Sequence, residues 1–158
     1  MKNTFRFLFG MLLTLGAAAA GSAQTGDSGR LGGRWDVVVT PRICATGAAI
    51  TNFRAAYYFA PGGNFSGVSS GTGSGGRGRE QLGVWKHLSD GSYRFRIKTF
   101  LFDAAGVATS YQIVTHEVDL SSDALDWSST GDSRTFTLDG VQINAGCSTI
   151  VASRVDDL

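Results

Sequence analysis

The chain has 158 residues, of which 42% are hydrophobic, 11% aromatic and 17% charged, and its formal net charge is +1 at pH 7. This length suits a single domain. A net charge so close to zero argues against the basic surface that nucleic acid binding requires, so no nucleic acid partner is expected. The aromatic content argues against a disordered chain.

The N-terminus has the pattern of a secretory signal peptide. Two cations precede an apolar run over residues 7–20, and the small residues Gly21 and Ala23 form a small-x-small cleavage pattern. The apolar run is shorter than the roughly 20 residues that a helix needs to span a bilayer. We therefore expect residues 1–23 to be removed on export and residues 24–158 to form one secreted or periplasmic domain that spans no membrane.

The mature part of the chain is predicted to consist of eight β-strands. Over residues 92–103, side chains such as Tyr93 and Phe95 alternate with cations such as Arg94, which is the period of two typical of a half-buried strand. Other β-branched and aromatic runs recur between turn residues. In chain order the predicted strands cover residues 34–40, 50–60, 64–70, 80–88, 92–103, 107–120, 125–138 and 141–155.

Short connections between these strands predict their order in the sheet. Turns at residues 60–64, 89–92 and 139–140 contain glycines that can supply the positive φ of tight hairpins. Short links between consecutive strands imply an antiparallel meander. Eight strands in that order can close on themselves, which removes both exposed edges. The predicted fold class is therefore an all-β, eight-stranded antiparallel up-and-down barrel.

Two residue pairs support closure of this barrel. If the last strand pairs antiparallel with the first, the residue numbers of each pair add up to a nearly constant total. The total for Cys44 and Cys147 is close to the total for Trp35 and Arg154. The small difference predicts a bulge at residues 144–146 or at Pro41. In this arrangement the connections over residues 41–49, 71–79, 103–106 and 139–140 lie together at one end, which we call the looped mouth.

The two cysteines are predicted to form a disulfide. Cys44 and Cys147 are the only cysteines and both lie in the mature chain. An exported protein meets an oxidising compartment, which would join them. Two free buried thiols are the alternative.

No catalytic or metal-binding motif in the sequence lies in the structural context that its chemistry requires. Residues 71–76 match G-x-G-x-x-G, but no helix is predicted to follow, so we interpret them as a loop. The strand directions place the histidines, His87 and His116, away from the looped mouth. We expect them in structural roles because no cluster of donors has metal-ligand spacing. Gly67-Val68-Ser69-Ser70-Gly71 matches G-x-S-x-G, but that motif marks a nucleophile only in a strand-to-helix turn and no helix is predicted here; no S-x-x-K motif is present. We therefore expect no enzyme activity, no metal and no cofactor.

A basic stripe is predicted on the outer face of the fifth strand. Arg94, Arg96 and Lys98 alternate with its apolar residues, and we interpret them as a solvated exterior. Such charges also argue against an outer-membrane barrel, where each would face lipid at a cost of roughly 2–4 kcal/mol near the midplane.

The inward-facing side chains near the looped mouth are the predicted ligand-binding site. We expect this site to be lined by Phe53, Tyr57, Trp85, Ile97, Thr99, Leu101 and Tyr111. The orientation of Trp85 is ambiguous because the apolar residues Leu82 and Val84 occupy the alternate positions of the same strand, which point to the opposite face. An eight-stranded barrel is either filled by side chains or just wide enough for one small ligand, and both alternatives stay open.

Several motifs together resemble a known family. Gly33-Arg34-Trp35 opens the first strand and Arg154 ends the last, which resembles the G-x-W motif of the lipocalins and the wider calycin group. The further motifs Pro41-Arg42-Ile43-Cys44, Gly83-Val84-Trp85, Phe102-Asp103-Ala104-Ala105-Gly106 and Gly146-Cys147 look like a lipocalin-like domain of bacterial secreted proteins without assigned activity. The resemblance implies that Trp35 packs at the closed end of the barrel beneath Arg154. The lipocalin Thr-Asp-Tyr motif is absent, and no helical segment is predicted after the last strand.

These observations lead to one function hypothesis and two alternatives. We expect an exported binding protein that holds a small hydrophobic ligand in the barrel mouth. The first alternative is a structural or interaction module of the cell envelope with a packed barrel. The second is a barrel isomerase or cyclase, which lacks a visible acid–base pair in this sequence.

Overall fold

A computed structural model describes residues 29–70 and 78–155. The predicted signal peptide over residues 1–23 lies outside these residues, as does most of the glycine-rich loop. Among the described residues, no helix is long and apolar enough to cross a membrane.

Eight antiparallel strands form one closed barrel, in which each strand pairs with its neighbours in sequence and the last pairs with the first. The predicted fold class is confirmed, and all eight predicted strands are present with small shifts at their ends. In chain order the strands are β1 (Gly33–Arg42), β2 (Phe53–Ala60), β3 (Asn64–Ser69), β4 (Arg79–His87), β5 (Tyr93–Phe102), β6 (Ala108–Leu120), β7 (Asp126–Thr137) and β8 (Gln142–Arg154).

The closing pair, β1 and β8, keeps one register from Trp35 opposite Arg154 to Arg42 opposite Cys147. The bulge predicted in this pairing is therefore wrong. Cys44 lies beyond the last residue pair of these two strands, so it does not follow their register. Its bond to Cys147 therefore needs no bulge in either strand. The register shifts instead between β7 and β8, where Ile143 is left out of the pairing.

The predicted disulfide between Cys44 and Cys147 is confirmed, with the two Cα atoms 5.2 Å apart. Cys44 lies in a tight turn in which the Gly47 amide donates a hydrogen bond to the Ile43 carbonyl at 2.7 Å. This turn directs the chain back over the barrel end, which brings the first thiol to β8. The disulfide thus fixes the loop after β1 to the rim of the looped mouth.

The end of the barrel opposite the looped mouth, the closed end, is a solid aromatic core. Phe59 is fully buried and makes edge-to-face contacts with Phe65, Trp85, Phe95 and Trp127, with ring centroids 5.2 to 6.1 Å apart. These residues meet because alternate side chains of every strand point inward. Edge-to-face packing adds to the free energy gained by burying the rings.

The outer face of β5 carries the predicted basic stripe. Arg96 and Lys98 are exposed, and Arg94 is half-buried and forms an ion pair with Glu117 of β6. Glu117 follows His116 in sequence, and the two side chains lie on opposite faces of the sheet because successive strand residues alternate.

Candidate ligand-binding site

A cavity of about 510 Å³ occupies the half of the barrel next to the looped mouth. It extends from the disulfide at the rim to Tyr57 and His116 at its inner end, where the aromatic core begins. This volume lies within the range of sites that bind small molecules. The interior is therefore filled at the closed end and hollow at the looped mouth.

Apolar side chains from five strands line this cavity. Ile97 and Val114 lie directly opposite each other in β5 and β6 and both face inward. Val39 of β1, Phe53 of β2 and Ile150 of β8 add to this apolar lining. Burial of an apolar ligand against these groups would be favoured by the hydrophobic effect.

A row of polar side chains crosses the inside of the barrel at the level of the cavity. Directly paired residues share a face of a sheet, and Thr99, Gln112, Thr135 and Asn144 are paired in turn from β5 to β8. Gln112 and Asn144 line the cavity, whereas Thr99 and Thr135 are buried. This row gives the cavity hydrogen-bonding groups above its apolar lining.

The inner end of the cavity holds a buried imidazole. His116 is 1% exposed and its ring stacks on Phe95 with the two centroids 5.3 Å apart. Its Nδ1 lies 2.8 Å from the Ser129 hydroxyl and its Nε2 lies 2.9 Å from the Ser148 hydroxyl. Burial lowers the pKa of His116 to about 4, so the ring is neutral at pH 7. A neutral ring has one N–H and one acceptor, so it donates to one serine and accepts from the other.

The space for this imidazole comes from a glycine. Gly131 is paired with His116 in β7, and a Cβ atom at this position would lie 2.5 Å from the ring. The sequence analysis expected His116 away from the looped mouth in a structural role; it lies at the inner end of the cavity, and its side chain forms part of the cavity lining. Its neighbours Gly131 and Ser148 come from other strands, so only the register brings the three together.

A buried acceptor belongs to one of the residues that line the cavity. Gln81 of β4 lines the cavity and is only 7% exposed, and its Oε1 has no hydrogen-bond partner among the described residues. An acceptor that is buried without a partner costs about 1–3 kcal/mol. Sequence reasoning did not single out Gln81, since one glutamine in a strand carries no recognisable motif.

Three of the predicted site residues line the cavity. Phe53, Tyr57 and Ile97 face it directly. Thr99 is buried in the polar row, and its hydroxyl donates a hydrogen bond to the Glu80 carbonyl at 2.8 Å. Burial raises the pKa of Tyr57 far above its ordinary value, so its phenol stays protonated.

The other three predicted site residues lie elsewhere. Leu101 is half-buried near the end of β5 and does not line the cavity. Trp85 faces inward at the closed end, where its indole N–H donates to the Ala60 carbonyl at 2.9 Å. The inward placement of Tyr111 is wrong: its ring stacks on Phe136 and lies 4.2 Å from the ammonium of Lys98, which is on the outer face.

The charge of the lining is low. Among the described residues that line the cavity, no carboxylate is present, and Arg42 is the charged group. The Arg42 guanidinium donates hydrogen bonds to the Thr149 hydroxyl at 2.9 Å and to the Gly47 carbonyl at 2.8 Å. In the described part of the chain, no three His, Cys, Asp or Glu side chains converge on a metal site.

Two further depressions, of about 530 and 680 Å³, lie on the outside of the barrel. They are open furrows between outward-facing side chains such as Arg54 in one and Leu82 in the other. Because a small ligand is bound best where most of its surface is buried, the cavity at the looped mouth is the better candidate site.

Comparison with known proteins adds support for the fold. No protein-family model and no curated protein matches the chain. Among solved structures, the chain is similar to a redesigned β-barrel, with a TM-score of 0.51 and 18% sequence identity, over 82% of this chain and 95% of the other. At this identity the likeness shows the shared barrel fold alone.

Proposed function

We propose that the protein is an exported, lipocalin-like binding protein that holds a small hydrophobic ligand in the cavity at the looped mouth. The observation that carries this proposal is the division of the interior, which is packed with aromatic rings at one end and hollow over about 510 Å³ at the other. Small β-barrels that bind a ligand hold it in a cavity of this kind, at one end of a rigid barrel.

Two features support export. The N-terminal sequence has the pattern of a signal peptide. The disulfide between Cys44 and Cys147 suits an oxidising compartment. The lipocalin-like assignment is supported by Gly33-Arg34-Trp35 at the start of the barrel and by the contact of Arg154 with Trp35.

The binding proposal is tested with protein isolated from its own host and with a cavity-filling variant. Native mass spectrometry is expected to show a bound small molecule, and lipids are expected to displace a fluorescent apolar dye from the empty protein. Val114→Trp places an indole in the cavity and is expected to abolish dye binding. Val151→Trp, on the outer face, is the matched control and is expected to bind as the wild type does. Absence of both a native ligand and dye binding would overturn the proposal.

A role in protein binding is the second candidate, and exposed apolar residues on the outer face of β2 to β4 favour it. Leu82 is 65% exposed and lies in a furrow with Tyr58 and Val68. Leu82→Asp is expected to abolish binding of an envelope partner in a pull-down while leaving dye binding unchanged. Equal recovery of the partner by wild type and variant would remove this candidate.

A further inference from the structure

The connections at the looped mouth expose large aliphatic side chains. Turns are usually built from glycine, proline and small polar residues. The three mouth connections that the structure describes in full, which join β1 to β2, β5 to β6 and β7 to β8, instead carry five aliphatic side chains that are each 49–64% exposed. We call this set the apolar rim, and its members are Ile43, Ile50, Val107, Leu138 and Val141.

The turns at the closed end differ from the apolar rim. Among the described residues of the turns over 61–63, 88–92 and 121–125, Leu125 is the exposed large hydrophobic side chain. Turns at either end of the barrel meet solvent in the isolated protein, so the barrel fold does not require this difference. Exposed apolar side chains gathered around one feature of a surface mark a site of interaction.

The placement of the apolar rim favours a lipid surface over a protein. Its side chains come from three connections distributed around the barrel opening, and Ile43 and Ile50 also line the cavity. A stable protein interface needs a continuous, complementary surface of about 800 Å² on each partner. Side chains on separate turns can each enter the fluid boundary between headgroups and acyl chains. A lipid surface would also join the apolar lining of the cavity to hydrocarbon.

Charges of both signs lie at the same mouth. The Arg42 guanidinium donates to two uncharged acceptors, the Thr149 hydroxyl and the Gly47 carbonyl, so its charge is not compensated. Asp103 and Asp139 are exposed in two of the mouth connections. Among the described residues, none of these three charged groups forms an ion pair. A zwitterionic phospholipid headgroup carries a phosphate and an ammonium group, which complement the cation and the carboxylates.

We propose that the protein docks with its looped mouth on a zwitterionic phospholipid surface. The apolar rim enters the boundary between headgroups and acyl chains, Arg42 donates hydrogen bonds to lipid phosphates, and Asp103 and Asp139 accept them from headgroup ammonium groups. Docking goes beyond the proposed ligand binding, because it depends on the edge of the mouth and not on what the cavity holds.

Flotation with lipid vesicles tests this proposal on exported protein isolated from its own host. The wild type is expected to float with vesicles of phosphatidylcholine and phosphatidylethanolamine. The double variant Val107→Asp and Val141→Asp changes two rim residues that do not line the cavity, and its vesicle affinity is expected to fall by about tenfold or more. Leu82→Asp is the matched control, since Leu82 is 65% exposed on the barrel wall and its variant should float as the wild type does. Equal thermal unfolding midpoints of the two variants check that both are folded.

The composition of the vesicles tests the choice of headgroup. Phosphatidylglycerol vesicles are expected to bind more weakly than zwitterionic ones, because two carboxylates of the mouth face the anionic headgroups. Tighter binding to phosphatidylglycerol would overturn the zwitterionic assignment.

Three results would overturn docking itself: a wild type that does not float, a rim variant that floats equally well, or a wall variant that loses binding to the same extent. A wild type that stays off vesicles and forms a dimer, which the rim variant converts to a monomer, would identify the apolar rim as a protein interface instead. The dye-binding assay of the cavity is independent of each of these results, so failure of docking and failure of the proposed function are distinguishable.

Discussion

The guanidinium carbon of Arg154 lies 4.2 Å from the centre of the Trp35 ring, and the same guanidinium donates hydrogen bonds to the carbonyls of Ala124 at 2.7 Å and Gly32 at 2.9 Å. Trp35 is fully buried, and its indole N–H donates to the Leu31 carbonyl at 2.9 Å. These contacts fix the last strand to the first at the closed end of the barrel. They also hold the segment before β1 across that end.

Loss of this guanidinium is expected to weaken the closed end. Arg154→Ala removes hydrogen bonds from a charged donor and the contact with Trp35, so the free energy of unfolding should fall by about 2–4 kcal/mol. Urea denaturation followed by tryptophan fluorescence measures this change. Arg96→Ala, on the exposed outer face, is the control and should change stability by less than about 0.5 kcal/mol. Equal stability of the two variants would contradict the role of Arg154.

Reduction of the disulfide is expected to destabilise the whole barrel. Cys44 and Cys147 are separated by 103 positions, so the bond removes a large loop-closure entropy from the unfolded chain. The chain-entropy relation predicts a loss of up to about 4–5 kcal/mol on reduction. Denaturation of the wild type with and without reductant measures it. A double variant with both cysteines changed to serine should be insensitive to reductant, which controls for other effects of the reagent.

Stability is expected to fall on acidification through the buried His116. The pKa of His116 is about 4 in the folded barrel and 6.5 in a model peptide. Between these two values the imidazole is protonated in the unfolded chain and neutral in the folded barrel, so the unfolded state binds more protons. The contribution of the neutral ring is complete above pH 6.5 and is lost as the pH falls towards 4. This lowering of the pKa corresponds to a loss of about 3 kcal/mol in the free energy of unfolding.

Two measurements check this pH dependence. The imidazole resonances of His116 should titrate near pH 4 in the folded protein, and the unfolding free energy of His116→Gln should depend less on pH than that of the wild type between 6.5 and 4. A titration of His116 near pH 6.5 in the folded barrel would contradict this prediction.

Gly131 is expected to tolerate no side chain. A Cβ atom there would lie 2.2 Å from the Thr115 carbonyl oxygen and 2.5 Å from the His116 ring, and the backbone oxygen cannot move without distorting the sheet. Gly131→Ala should therefore lower stability by about 1–3 kcal/mol and shift the His116 imidazole resonances. A Cβ at Gly29 meets no atom within 4 Å, so Gly29→Ala is the matched control and should leave both readouts unchanged. Similar results for the two variants would contradict the packing argument.

The candidate site could be predicted only in part. Ile97 was placed correctly because cations mark the outer face of β5, and Phe53 and Tyr57 because Arg54 marks the outer face of β2. Tyr111 was misplaced because both faces of β6 carry apolar residues, so its pattern does not distinguish inside from outside. Its pairing with the outward-facing Phe100 decided its orientation.

The sequence by itself determined the eight strands and their antiparallel order, because alternation and turn chemistry act between residues that are close along the chain. It determined the pairing of the two cysteines because the chain has only these two. Only the tertiary structure decided that the interior next to the looped mouth is hollow and which residues line the cavity. His116, Gly131 and Ser148 meet through the register of three strands, and the depth of Gln81 depends on the stagger of the whole barrel. Register and stagger are set by contacts between distant segments, and no single segment contains that information.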